Sequence, residues 1–204
     1  MTNVQTVRFE QADQGEEAAR AALYGLLSNL FYAPPSQALL DDMAASAVDG
    51  DGPLQQAWRE LAAACKGAQE LEVRDEYETL FIGVGKPEVM LYGSYYLSGF
   101  LMEKPLAELR ADLARLGIER ADKVTESEDH LATLCAVMRY LIESDDGTQA
   151  SLQAQQAFFA AHMQKWVGEC CNAVASHPQA RLYRAAAGVA RQFFEVETQA
   201  FDML

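Results

Sequence analysis

Residues 125–142, Thr-Glu-Ser-Glu-Asp-His-Leu-Ala-Thr-Leu-Cys-Ala-Val-Met-Arg-Tyr-Leu-Ile, concentrate the chemistry that this chain offers. Glu126, Glu128 and Asp129 form an acidic cluster that runs into His130. Leu131, Leu134, Cys135, Met138, Leu141 and Ile142 then recur at spacings of three and four, the mark of one apolar helix face. A carboxylate and an imidazole at a helix mouth can act as an acid–base pair, half a metal site, a receptor for a basic ligand, or a cap. Thr125 and Glu128 have the spacing of a capping box, in which hydroxyl and carboxylate each take the other residue's amide. Asp129 in the first turn would suit the helix dipole. Neither role accounts for His130, whose charged form gains nothing at a helix N-terminus.

Spacing weighs against the reactive uses. Neighbouring residues on a helix point about 100° apart, so Asp129 and His130 make no dyad by themselves. A helical metal site needs converging His, Cys or carboxylate ligands. His130, His162 and His177 do not pair at three or four residues, and no metal is expected. Nucleophilic catalysis needs a Cys or Ser beside a His. Cys135 lies an awkward five residues beyond His130. His162 and Cys170, read on one helix, stand more than roughly 10 Å apart. Gly85-Lys86 runs into Pro87 with no strand before it, which is no phosphate loop. These spacings offer no convincing reaction centre, and no cofactor is expected.

The formal net charge of −14 argues against nucleic acid or an anionic membrane as partner, because both reward Lys and Arg. It suits a cationic partner, or simply solubility. The N-terminus lacks a basic segment followed by an apolar one, so no secretory signal is expected. No stretch approaches the roughly 18 apolar residues of a membrane span. Cys65, Cys135, Cys170 and Cys171 form no spaced framework, which suits reduced thiols in the cytoplasm.

The elements that must position this segment are helical. The period predicts helices over 16–32, from Ser36 to about Ala47, over 54–66, 70–82 and 105–116, and, after a polar connection from Glu119 to Glu126, one that ends at Asp145-Asp146-Gly147. One long helix is expected over 149–176, with Leu152, Phe159, Met163, Trp166 and Cys170 inward. A last one is expected from Pro178, with Leu182, Ala186, Val189, Phe193, Val196 and Ala200 inward. Residues 83–99 lose regularity. Glycines punctuate an aromatic segment with Tyr92, Tyr95 and Tyr96, which is either a core-covering connection or an adaptable wall for a peptide. The fold class expected is all-α, a single helical bundle of about eight or more helices. A mobile tail over 1–14, an N-terminal lobe over 15–117, a hinge at 118–126 and a C-terminal lobe over 127–204 complete the expected layout.

Four segments, in order, carry a resemblance. They are Glu76-Tyr77-Glu78-Thr79-Leu80-Phe81-Ile82-Gly83, Tyr92-Gly93-Ser94-Tyr95-Tyr96, Glu126-Ser127-Glu128-Asp129-His130-Leu131-Ala132, and Phe158-Phe159-Ala160-Ala161-His162-Met163-Gln164-Lys165-Trp166. With these the chain resembles the TorD/DmsD/NarJ family of redox-enzyme maturation chaperones over about residues 20–200. Three departures stand out: Met90-Leu91 where the family usually has a Pro, Ser127 in place of a Pro, and Gly168 where a Pro usually follows the Trp.

The resemblance implies an all-helical cytoplasmic protein without enzymatic activity. Its partners would be a molybdenum-cofactor oxidoreductase subunit of the dimethyl-sulfoxide-reductase superfamily and that subunit's leader peptide, often a twin-arginine signal. It would hold the client for cofactor insertion and folding, as a monomer or a domain-swapped dimer, without stable membrane insertion. Tyr92, Ser94, Tyr95, Tyr96, Glu126, Glu128, Asp129 and His130 would bind the leader. Carboxylates pair well with arginine, and the tyrosines would face the leader's apolar stretch. The alternative is a helical scaffold or regulatory protein without leader recognition.

Overall fold

The computed structural model describes residues 14–121, 125–144 and 151–204. The tail expected over 1–14 lies outside them but for Gln14, which opens the first helix. The middle of the 118–126 connection and the Asp145-Asp146-Gly147 stop also lie outside them.

Ten α-helices make up the described residues: α1 (Gln14–Tyr32), α2 (Gln37–Ala45), α3 (Pro53–Cys65), α4 (Glu70–Tyr77), α5 (Gly93–Ser98), α6 (Lys104–Arg115), α7 (Leu131–Glu143), α8 (Leu152–His162), α9 (Val167–Ser176) and α10 (Leu182–Asp202). The fold is all-α, as the period predicts. A π-helical turn, Glu78–Ile82, continues α4, and Gly83 ends it with φ +64°. A Cβ at Gly83 would come within 2.1 Å of the Lys86 carbonyl oxygen, so only glycine fits there.

The core is one continuous cluster that spans both sides of the 118–126 connection. α1 lies along α7, and α10 packs on α3 and α9. Tyr24, Leu27, Leu30 and Phe31 of α1 and Leu134, Cys135, Met138 and Leu141 of α7 are all fully buried in it.

Carboxylates and hydroxyls from distant parts of the chain close the helix ends. Ser36 caps α2 through the Leu39 amide, as its position predicts. Glu76 accepts the Arg181, Leu182 and Tyr183 amides at 2.8–3.2 Å, and this places the start of α10 at Leu182 rather than at Pro178. The Tyr77 hydroxyl donates to the Phe31 and Tyr32 carbonyls at the end of α1.

Two sequence expectations are corrected. The span 149–176 is two helices: Trp166 leaves helical geometry and donates its indole N–H to the His162 carbonyl at 2.7 Å. On α8 and α10 the inward face is also rotated. Leu152 and Val196 are 40% and 48% exposed and Ala200 is exposed, whereas Gln155, Glu197 and Phe201 are buried.

Glu197 is 1% exposed, and Arg20 grips it by two hydrogen bonds of 2.7 and 2.8 Å. The Tyr24 hydroxyl donates to it at 2.9 Å, and Arg20 also donates to Gln155 at 3.0 Å. This network ties α1, α8 and α10 together. Removing one partner strands the other charge among apolar side chains. Glu197→Ala is expected to lose about 3–5 kcal/mol of unfolding free energy in urea at neutral pH. A loss below about 1 kcal/mol would show that the pair is dispensable.

Candidate functional site

The aromatic segment 83–99 and the acidic segment 125–130 meet through their backbones. Gly93 donates its amide to the Asp129 carbonyl at 2.9 Å, and Leu131 donates to the Leu91 carbonyl at 2.7 Å. This isolated antiparallel bridge sets Tyr92 opposite His130, with their rings edge to face at 5.0 Å. A Cβ at Gly93 would stand 3.0 Å from the Trp166 indole nitrogen, so a side chain there would push the indole aside. Trp166 in turn stacks on Tyr96, with centroids 5.5 Å apart and planes 18° apart.

The bridge overrides the local capping signal. α7 begins only at Leu131, and the expected Thr125–Glu128 capping box does not form. His130 is extended (φ −67°, ψ 138°) and is itself the cap, its Nδ1 accepting the Ala132 amide at 3.2 Å. That role requires a neutral imidazole. Burial lowers the His130 pKa to about 4, against the opposing pull of Glu126 and Asp129.

Each carboxylate of the acidic cluster has a different task. Glu126 accepts the Tyr92 hydroxyl at 2.5 Å. Burial first, and then this bond and the Glu126 charge, raise the Tyr92 pKa and keep the hydroxyl protonated. Glu128 accepts Arg110 Nε and Nη2 at 3.0 and 2.8 Å, and Arg120 Nε lies 3.9 Å from its second oxygen. Burial opposes ionisation of Glu128, but Arg110, its own backbone and Arg120 outweigh it and lower its pKa. Asp129 is 4% exposed and caps α5, accepting the Ser94 amide at 2.9 Å and the Ser127 hydroxyl. No cation pairs with Asp129 among the described residues.

A cavity of about 200 Å³ opens beside Asp129. Gly93, Ser94 and Leu97 line it from α5, Pro105, Glu108 and Leu109 from α6, and Ala161, His162 and Lys165 from α8 and the turn after it. The Ser94 side chain is fully buried, and its hydroxyl oxygen has no hydrogen-bond partner. His162 Nε2 lies 2.7 Å from an Asp112 oxygen, so α6 is fastened to α8 on this side and to Glu128 on the other. Next to the cavity, Leu97, Phe100, Leu101 and Met102 are 40–80% exposed. Met102 holds φ +60°, a conformation that side chains rarely adopt.

Of the eight residues expected to bind a peptide, Ser94 and Asp129 line this cavity. Tyr92, Glu126, Glu128 and His130 surround the bridge behind it. Tyr96 is half-buried on Trp166, while Tyr95 is 40% exposed and edge-on to Tyr96. Sequence reasoning missed the α6 wall, the Arg110 contact and the exposed Leu97–Met102 ridge. The ridge had a signal, an apolar run outside any helical period; Arg110 had none.

The reactive alternatives find no assembly here. Cys135 and Cys171 are buried with raised pKa values, and burial pushes Cys170 up to about 12. Among the described residues no cluster of three His, Cys, Asp or Glu side chains could hold a metal. No helix among them is long and apolar enough to cross a membrane.

A family model described as nitrate reductase delta subunit matches residues 49–172, a span that holds the bridge, both its strands of chain and Trp166. The chain belongs to this TorD/NarJ family. Chaperone protein TorD of Vibrio cholerae serotype O1 is 26% identical over 207 residues, covering 91% of this chain and 93% of its own length. Chaperone protein TorD of Aliivibrio fischeri is 25% identical over 138 residues, 64% of each chain. Several motif residues of this TorD/NarJ chain close helices or pack beside the bridge, as Glu76, Tyr77, His130 and Trp166 do.

Protonating His130 removes the α7 cap, and the unfolded chain binds that proton more readily. The stabilisation is therefore complete above the ordinary pKa of 6.5 and lost as pH falls toward about 4. A shift of this size corresponds to about 3 kcal/mol. Urea unfolding of wild type and His130→Asn, which keeps a capping oxygen, checks this. Wild type should lose about 3 kcal/mol more than the variant between pH 7 and pH 4. Parallel losses would mean that His130 is not the group responsible.

Proposed function

We propose that this protein is a cytoplasmic maturation chaperone that binds the leader peptide of a molybdenum-cofactor oxidoreductase. It holds the client while cofactor insertion and folding are completed. The named relatives support the chaperone role. The observation that carries the leader reading is the cavity. A buried carboxylate without a counter-cation, Asp129, and a buried hydroxyl without a partner, Ser94, line the same small space.

The Ser94 hydroxyl is costly as it stands, because a buried polar atom without a partner loses hydration, and Asp129 keeps lone pairs beyond those taken by the Ser94 amide and the Ser127 hydroxyl. A guanidinium satisfies both. It donates to the free lone pairs of the Asp129 carboxylate and to the Ser94 oxygen, while Leu97, Pro105 and Leu109 cover its aliphatic stem. A volume of about 200 Å³ suits a single side chain rather than a whole ligand. The Leu97–Met102 ridge then receives the apolar residues that follow the arginines in a leader of this kind. The net charge of −14 steers such a cationic peptide toward the protein. A shallow ridge with one anchoring cavity gives reversible binding, as a chaperone requires.

Ser94→Ala separates binding from folding. The hydroxyl makes no bond in the free protein, so its loss should leave the melting temperature unchanged or slightly higher. Isothermal titration with a twin-arginine leader peptide should show about tenfold weaker binding, the worth of one hydrogen bond to a charged group. Unchanged affinity would remove Ser94 and its cavity from the leader site. Failure of every leader encoded near the gene to bind wild type would count against leader recognition itself.

A further inference from the structure

We propose that Glu128 is a second guanidinium subsite, filled in the free protein by the chain's own Arg110 and yielded to an incoming arginine by exchange. This rests on the leader reading above and extends it to how the site opens.

The geometry already shows a guanidinium seated on Glu128. Arg110 reaches one carboxylate oxygen with Nε and Nη2 at 3.0 and 2.8 Å. Arg120 approaches the other oxygen at 3.9 Å and donates Nη1 to the Glu126 carbonyl at 3.1 Å. The donors and the acceptor differ sharply in exposure. The Glu128 side chain is 14% exposed, whereas those of Arg110 and Arg120 are 54% and 41% exposed. The acceptor is thus a built part of the fold, and its two cations come from the surface. An exposed arginine held by one carboxylate is readily displaced, because such pairs contribute little.

Glu128 and Asp129 are also neighbours in sequence, with α-carbons about 3.8 Å apart, the spacing of two adjacent arginines in a partner. One arginine fills the Asp129–Ser94 cavity, and the next takes the place of Arg110.

The exchange has a structural consequence. α6 carries Pro105, Glu108 and Leu109 of the cavity wall, and Arg110 fastens that helix to the 125–130 segment. Its other polar fastening is Asp112 to His162 at 2.7 Å, and Leu106, Leu109 and Leu113 hold its inner face in the core. Releasing Arg110 frees one edge of α6 while the other stays attached, so the cavity widens along the 125–130 side. The resident arginines thereby act as a gate that two adjacent cations open together and one does not.

The test uses the full-length protein, Arg110→Gln/Arg120→Gln, and two synthetic peptides that carry the same apolar stretch after either two adjacent arginines or one arginine and one glutamine. With the resident cations gone, the two-arginine peptide should bind about fivefold tighter than to wild type, the worth of an exposed ion pair. The one-arginine peptide should bind both proteins equally. Arg110→Lys keeps the charge but lacks the planar fork, and should fall between wild type and the double variant. This variant carries the test should the double variant melt early. No gain, or a loss, with the two-arginine peptide would overturn the exchange and leave Arg110 as a fastening of α6. An equal gain with both peptides would overturn Glu128 as a subsite. Binding of neither peptide to any of the proteins would overturn the leader reading together with the exchange.

Discussion

The site depends on one short backbone exchange. The Gly93 amide meets the Asp129 carbonyl, and the Leu131 amide meets the Leu91 carbonyl. These two bonds hold an irregular aromatic segment against the start of α7. Residue 93 lacks a side chain where the Trp166 indole passes, which lets the two segments meet without displacing the ring. Once the bridge is made, the neighbouring polar groups have fixed places. Asp129 closes α5, His130 closes α7, and the Ser94 hydroxyl is left buried at the cavity lining with nothing to bond. A structural constraint thereby creates the unsatisfied polarity that a ligand can relieve.

The same constraint explains why the conspicuous Asp-His pair is not catalytic in appearance. His130 uses Nδ1 on the Ala132 amide and is held neutral by burial. It does not line the cavity, whereas Asp129 does. The pair divides its work: the imidazole keeps α7 in place, and the carboxylate both closes α5 and lends its charge to the cavity. Glu126 and Glu128 are occupied as well, by a tyrosine and by arginines of the chain itself. An acidic cluster that reads as three open receptors is, in the folded protein, one carboxylate without a cation beside two already engaged.

Most helices were legible because their apolar residues recur every three or four positions, and α1, α2, α3 and α6 lie within a few residues of expectation. The failures come where distant groups overrule local signals. The Thr125–Glu128 box is a sound local cap, but a bridge to Leu91 and Gly93 holds the chain extended until His130. Nothing between Met163 and Trp166 breaks a helix by composition; the break follows from Trp166 turning to stack on Tyr96. Glu197 sits inside because Arg20, on the first helix, folds over it. At the site, the sequence segments named Ser94 and Asp129, and the four motifs located the bridge. They could not show the α6 wall, since Pro105, Glu108 and Leu109 become cavity lining only when α6 is fastened by Arg110 and Asp112.

The central claim is that Ser94 and Asp129 together receive one arginine side chain of a leader. A crystal structure of the protein with a twin-arginine leader peptide tests it most directly. The account predicts a guanidinium in the cavity between α5, α6 and α8, within about 3.2 Å of both the Ser94 hydroxyl oxygen and the Asp129 carboxylate. A complex in which the leader lies elsewhere and this cavity holds no arginine would contradict it.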